Sequence, residues 1–246
     1  MGDAAVDGAF ERRFLRDAGA LDEYAGEVAE SGLAEHLEEQ AQHFWRTTES
    51  FRQQGRRYNT GRITGRTGRG YREGLRLYAV VREVRPRVAV ETGVCNGVST
   101  AFLLLALERN GEGGLHSIDF PEVAGAAYEP GTFWDGKGGA VIPPGKEPGW
   151  MIPEQLRSRW TLTTGRSQEV LPPLLDRVRP IDLFLHDSEH TYECMRFEFE
   201  HAFAALRQGG VLAADDVNAN PAFAEFARER NAEPIALGEK TAFLVK

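Results

Sequence analysis

Val88-Ala89-Val90-Glu91-Thr92 runs into Gly93 and, four residues on, Gly97, and the apolar stretch Ala101 to Leu107 follows. β-favouring residues, then two glycines, then a helix-forming run predict a strand, a tight turn and a helix start. A chain built on such a unit belongs to the α/β class. Gly93 and Gly97 let the backbone come close to a ligand, and the helix behind them offers free N–H groups. Glu91 places a carboxylate at the strand tip. Phosphate loops use the same geometry for anions, which a carboxylate would repel, so the ligand that fits here carries a cationic group.

Before this unit, Gly8 to Phe51 is rich in Ala, Glu, Leu and Gln without proline and predicts two or three amphipathic helices, with Leu33, Leu37, Ala41 and Phe44 at helical steps. They lie against the main domain or a second subunit. Arg52 to Arg76 turns to glycine and arginine and predicts a loop, either bland or arching over a site with arginines for an anionic substrate. Leu75 to Val84 predicts a buried-face helix ending before Pro86. The chain therefore divides at residue 74, with a helical extension and loop over 1–74 and the main domain over 75–246.

After it, Leu115 to Phe120 predicts a second strand ending in Asp119, and Pro121 to Pro153 a long loop of the kind that forms lids. The lid's tryptophans, Trp134 and Trp150, either cover a flat substrate or pin the loop itself. Trp160 to Thr164 is a third strand, leading to Gly165-Arg166-Ser167, and Glu169 to Val178 a helix broken by Pro172-Pro173. Ile181 to Asp187 is a buried parallel strand followed by a helix from Ser188 or Glu189 to Leu206, which Gln208-Gly209-Gly210 ends. Val211 to Val217 is a further strand, Asn218 to Arg230 holds a helix, and Pro234–Leu237 and Ala242–Val245 close the chain as an antiparallel pair.

At 246 residues the chain has room for one α/β domain with an extension. A net charge of −8 argues against general binding to nucleic acid or a membrane surface. Two cysteines, Cys95 and Cys194, are too few for a disulfide framework or a cysteine-rich zinc site and fit a reducing cytoplasm. No segment has the length of a membrane span or the form of a signal peptide, so a soluble cytoplasmic protein is expected.

Open α/β sheets bind ligands beyond the carboxyl ends of their strands, where Glu91, Asp119, Asp187, Asp215 and Asp216 all fall. Neighbouring strands lie about 4.8 Å apart, so Asp187, Asp215 and Asp216 would repel one another unless a cation held them. Hard oxygen ligands favour Mg²⁺, with Mn²⁺ or Ca²⁺ as other divalent occupants. His190, three residues after Asp187, falls on the same side of a first helical turn, where a neutral imidazole can take a hydroxyl proton. Plainer alternatives are Asp187 or Ser188 as a helix N-cap, Asp215-Asp216 as a turn and His190 as a structural or solvent-facing residue. His186 is expected to pack near the strand end, and Cys95 to be a small buried residue of the turn.

The Glu91-x-Gly93-x-x-x-Gly97 turn resembles the first motif of class I S-adenosylmethionine-dependent methyltransferases, with Cys95 where the middle glycine usually sits. Asp187-x-x-His190 followed by Asp215-Asp216 resembles the metal-dependent sugar O-methyltransferases of macrolide-antibiotic biosynthesis. The resemblance covers about Tyr78 to Lys246. It implies a Rossmann-like, mostly parallel seven-stranded sheet in the order 3-2-1-4-5-7-6. It implies S-adenosylmethionine held by Glu91, Gly93, Asn96, Gly97, Ser99, Asp119 (ribose) and Ser167 (adenine), and a metal held by Asp187, Asp215 and Asp216. The acceptor is then a small hydroxylated molecule, a deoxysugar or a phenolic natural product, with His190 and Asp187 as the catalytic pair. The helical N-terminus suits a homo-oligomer. Two rivals are a catalytically inactive cofactor-binding protein acting through its N-terminal helices, and a nicotinamide-dependent oxidoreductase, which the missing Gly-x-Gly-x-x-Gly disfavours.

Overall fold

The computed structural model describes residues 3–47, 69–123, 126–135 and 142–246. Residues 52–68 of the Gly/Arg-rich stretch, and 124–125 and 136–141 of the lid, lie outside the described residues. Seven strands, β1 (Val88–Thr92), β2 (Gly114–Asp119), β3 (Trp160–Thr164), β4 (Ile181–His186), β5 (Leu206–Ala214), β6 (Ile235–Leu237) and β7 (Thr241–Val245), form one sheet in the order β3-β2-β1-β4-β5-β7-β6. β1 to β5 run parallel, and β7 pairs antiparallel with β5 and β6. The Rossmann-like order expected above is the one observed.

Eight α-helices surround the sheet among the described residues: α1 (Asp3–Phe14), α2 (Ala20–Ser31), α3 (Leu33–Thr47), α4 (Arg69–Val84), α5 (Val98–Asn110), α6 (Ser167–Val178), α7 (Tyr192–Ala205) and α8 (Ala222–Glu229). Strand residues alternate between two apolar layers, as the two-residue period of a strand requires. Ala89, Val211 and Phe243 face the layer of α1 to α5, whereas Val90, Leu212 and Leu244 face that of α6 to α8. α4 packs closely on α5, since a Cβ on Gly74 would lie 2.4 Å from the Phe102 ring.

The N-terminal helices are part of this core. Phe10 and Phe14 sit against Phe243 at centroid distances of 5.6 and 5.2 Å. In α2, Glu27 accepts hydrogen bonds from Tyr78 Oη at 2.5 Å and Arg82 at 2.7 Å, both on α4. The boundary expected after residue 74 falls inside α4.

Three element ends differ from the sequence-based expectation. α6 runs through Pro172-Pro173 without a break, with Pro172 half-buried and Pro173 exposed. α7 begins at Tyr192 with Thr191 as N-cap, so residues 187–190 form a loop rather than a helical turn. Gln208-Gly209-Gly210 belongs to β5, where Gly209 N–H donates to Lys246 O and Lys246 N–H to Gly210 O. The Lys246 ammonium donates to the carbonyls of Phe203, Ala204 and Leu206, which ends α7 before those glycines.

Candidate active site

The strand tips are tied to one another by backbone bonds that continue the sheet past its strands. Gly93 N–H donates to Ile118 O, Gly165 N–H to Asp119 O, Asp187 N–H to Thr92 O and Asp215 N–H to His186 O, all at 2.8 to 2.9 Å. At Gly93, with φ +86°, a Cβ would lie 1.9 Å from Asp187 O. That glycine is required because the turn after β1 touches the loop after β4. Above these tips opens a cavity of about 970 Å³.

At one end the turn and β2 define a pocket. Val94 and Cys95 N–H groups donate to Asp119 Oδ2 at 2.7 and 2.6 Å. Cys95 has φ +48°, so its backbone keeps the left-handed form that a glycine takes in this position. Burial pushes the Asp119 carboxyl above its ordinary value against the pull of these two donors. Gly93, Asn96, Ser99, Asp119 and Ser167 line the cavity. Phe120, next to Asp119, stands with Phe133 and Trp134 at centroid distances of 5.6 and 6.0 Å, and the Arg166 guanidinium lies 4.8 Å from the centre of the Phe133 ring.

Two expected cofactor residues are placed otherwise. Glu91 is fully buried and absent from the cavity wall; strand parity turns it onto α5, where it accepts from Ser99 (3.2 Å), Thr100 (2.9 Å) and Ser117 (2.8 Å). Burial raises it to about 7, although the hydroxyl donors oppose the rise. Gly97 also lies off the wall, and a Cβ there would meet Gly149 Cα and Ile152 Cγ1 at 2.7 Å. Its bareness serves the lid rather than a ligand. Asn96 faces both ways, since it lines the cavity while its Oδ1 accepts from Trp150 Nε1 at 2.6 Å and its carbonyl from Met151 N–H at 3.2 Å. Trp150 therefore pins the lid, whereas Phe133 and Trp134 line the cavity.

The acidic end lies where β4 and β5 finish. One ligand atom each of Asp187, His190 and Asp215 falls within 4.8 Å of the others, and His190 Nε2 is 3.8 Å from Asp187 Oδ1. The Asp187 side chain keeps 36% of its surface open, onto the cavity. Enclosure by protein raises its carboxyl well above the ordinary value, and Asp215, Glu91, Asp216 and Glu73 add to the rise. Burial lowers His190, helped by the neighbouring His186 ring and opposed by Asp216 and Asp215. Asp216, expected as the third ligand, stands outside that group: with φ +45° it accepts from Lys240 Nζ at 2.5 Å. Thr241 Oγ1 donates to Asp215 Oδ1 at 2.9 Å. The β6–β7 turn thus supports both aspartates, a role that composition and spacing leave invisible because the turn is distant in sequence.

Sequence reasoning also missed Glu198 of α7, a fully buried acid among the apolar residues of its helix. A charge on the inner face of an amphipathic helix was the available signal. Glu198 Oε2 accepts from Thr92 Oγ1 at 2.5 Å and pairs with His186 Nδ1 at 2.6 Å, while Oε1 accepts from Ser188 Oγ at 2.7 Å and Cys194 Sγ at 3.5 Å.

A doubly layered sheet in this order, with a glycine turn after β1 and acids at the tips of β2, β4 and β5, has counterparts among known proteins. The model of a methyltransferase domain matches residues 90–217, over half the chain. The chain belongs to this methyltransferase family and is an S-adenosylmethionine-dependent methyltransferase. Among solved structures, the O-methyltransferase NovP superposes with a TM-score of 0.52 at 16% identity, covering 72% of this chain and 80% of that one. The O-methyltransferase TomG from Streptomyces achromogenes, involved in tomaymycin synthesis and solved with S-adenosylmethionine, superposes with a TM-score of 0.50 at 17% identity, covering 98% and 96%. At these identities the likeness is one of fold. No curated protein matches the chain.

Proposed function

We propose that the chain methylates a hydroxyl of a small molecule, of the deoxysugar or phenolic natural-product kind, with a divalent cation beside the acceptor. The observation that supports this is the convergence of Asp187, His190 and Asp215 at the tips of β4 and β5, in one cavity with the glycine turn. NovP and TomG, described as O-methyltransferases, are similar to the chain in fold.

The donor set fits a hard cation. Asp187 faces the cavity with Asp215 and Asp216 nearby, and their repulsion, which adds to the rise that burial causes in its carboxyl, is what a cation relieves. Asp187 and Asp215 would hold the cation, with Asp216, paired to Lys240, as a third carboxylate beside them. When bound, a divalent cation supplies positive charge beside the reacting hydroxyl. S-adenosylmethionine supplies the methyl group: the acceptor O–CH₃ bond forms, the S–CH₃ bond breaks and S-adenosylhomocysteine leaves. Gly93, Asn96, Ser99, Asp119 and Ser167 would hold it, with Asp119 toward the ribose and Ser167 toward the adenine. His190 takes the hydroxyl proton on Nε2, a buried nitrogen without a hydrogen-bond partner among the described residues. Its lowered proton affinity keeps it neutral near pH 7, ready to accept. The chain from α4 onward carries this chemistry, with α1 to α3 packed on it as a helical extension.

Thermal unfolding with S-adenosylhomocysteine and with Mg²⁺, each alone and together, tests the proposal. A ligand in hundredfold excess over its Kd adds about 2.7 kcal/mol to folding. Separate stabilisation by each ligand is expected in the wild type, with the Mg²⁺ effect lost in Asp215→Ala. A wild type indifferent to Mg²⁺ would remove the metal from the proposal.

A further inference from the structure

Four hydrogen-bond donors converge on Glu198, which is wholly enclosed in protein. They come from the tip of β1 (Thr92), the end of β4 (His186), the loop after it (Ser188) and α7 itself (Cys194). A carboxylate has about four lone-pair sites, so every one of them is used. Burial alone would push this carboxyl up, but the His186 ring and the hydrogen bonds from His186 and Thr92 hold it below its ordinary value. Three of the donors, Thr92, Ser188 and Cys194, belong to the cavity wall, and Glu198 lies behind them.

The placement ties two ends of the site together. Thr92 immediately precedes Gly93 of the cofactor turn. His186 and Ser188 flank Asp187 on either side, and both side chains are tethered to the same carboxylate. The Asp187 carbonyl in turn blocks any Cβ at Gly93. A fully buried acid costs stability unless its bonds are complete, and here they fix two neighbouring loops in one register.

We infer that Glu198 is a positioning residue that sets the metal-binding loop around Asp187 against the cofactor turn, so that each ligand is bound in a place fixed relative to the other. This rests on the proposal that Asp187 is a metal ligand. A glutamine at 198 keeps the size but swaps one acceptor oxygen for an N–H₂ group. That group faces two donors, so either the Thr92 and His186 side or the Ser188 and Cys194 side loses its acceptor.

The test measures two affinities in folded protein, verified by circular dichroism: S-adenosylhomocysteine by calorimetry and Mn²⁺ by electron paramagnetic resonance. Outer-shell partners of a metal site are worth about 10–100-fold in affinity, and E198Q, which frees either His186 or Ser188 beside Asp187, is expected to weaken Mn²⁺ by a factor in that range, and S-adenosylhomocysteine too where the amide faces Thr92. Thr92→Val removes only the cofactor-side tether and should weaken S-adenosylhomocysteine alone. Ser188→Ala removes only the metal-side tether and should weaken Mn²⁺ alone. A folded E198Q that binds both ligands within twofold of wild type overturns the inference. So does equal weakening of both ligands by each single-tether variant, which is what general loosening of the fold would produce. If E198Q does not fold, the Thr92 and Ser188 variants decide by the same criterion. A wild type that binds S-adenosylhomocysteine but no Mn²⁺ overturns the metal proposal instead, and the cofactor arm in E198Q and Thr92→Val then decides the role of Glu198.

Discussion

Glu91 shows how much one residue's direction matters. Its place at the end of β1 was evident from the run of β-favouring residues before Gly93, but the layer it faces depends on strand parity against helices not yet placed. Ala89 faces α5, so Glu91, two residues on, faces it too and is sealed among hydroxyl groups. With a carboxyl raised from 4.5 to about 7, the folded state keeps a proton that the unfolded chain gives up. Its contribution to stability is fully present below pH 4.5 and is lost as pH rises through about 7. Glu91→Gln carries no such proton, so the wild type should lose more of its melting temperature than this variant between pH 5 and pH 8. Parallel melting curves across that range would refute the assignment. At His190 the expectation concerns rate. His190→Ala should lower turnover on the order of 10²–10⁴-fold while leaving Mg²⁺ stabilisation in place, and loss of both would make His190 a ligand rather than a base.

Among the elements, the glycine turn and the lid form one assembly. Gly149 N–H donates to Cys95 O at 2.8 Å, Arg157 donates to Gly149 O at 2.6 Å, and His36 Nε2 of α3 lies 3.1 Å from Met151 O. Gly97→Ala places a Cβ against Gly149 and Ile152 at a φ of +89°, and should cost more than about 1 kcal/mol in urea unfolding. A cost near zero would show that residues 149–152 are not seated on the turn. The sequence signalled a long functional loop from its length and its lack of period, yet not its anchor, because Asn96 and Trp150 are 54 positions apart. Helix ends were legible to the extent that local chemistry decides them. Thr191 caps α7 by accepting from Cys194 N–H, a signal that the more prominent Asp187 and Ser188 obscured.

For the whole molecule, the parallel core followed from alternating strand and helix patterns, and the order of its strands from the resemblance carried by two short motifs. The seat of the N-terminal helices had no such signal, since an amphipathic stripe fits a sheet, a neighbouring helix or another subunit equally well. Phe10, 1% exposed, packs on Phe243 of a strand more than two hundred residues away. Phe10→Ala should therefore lower global stability by about 3–5 kcal/mol in a single unfolding transition. A separate early transition confined to the N-terminal helices would show that they fold on their own.

The contact between Gly93 and the Asp187 carbonyl reaches beyond the site it braces. Two loops that leave no room even for a methyl group cannot drift apart as sequences diverge. The lid wall that carries Phe133 and Trp134, where a Cβ on Gly131 would meet nothing within 4 Å, is under no such restraint. Selection on a protein built this way can exchange the roof to suit a new acceptor while the floor, and the chemistry fixed to it, is inherited unchanged.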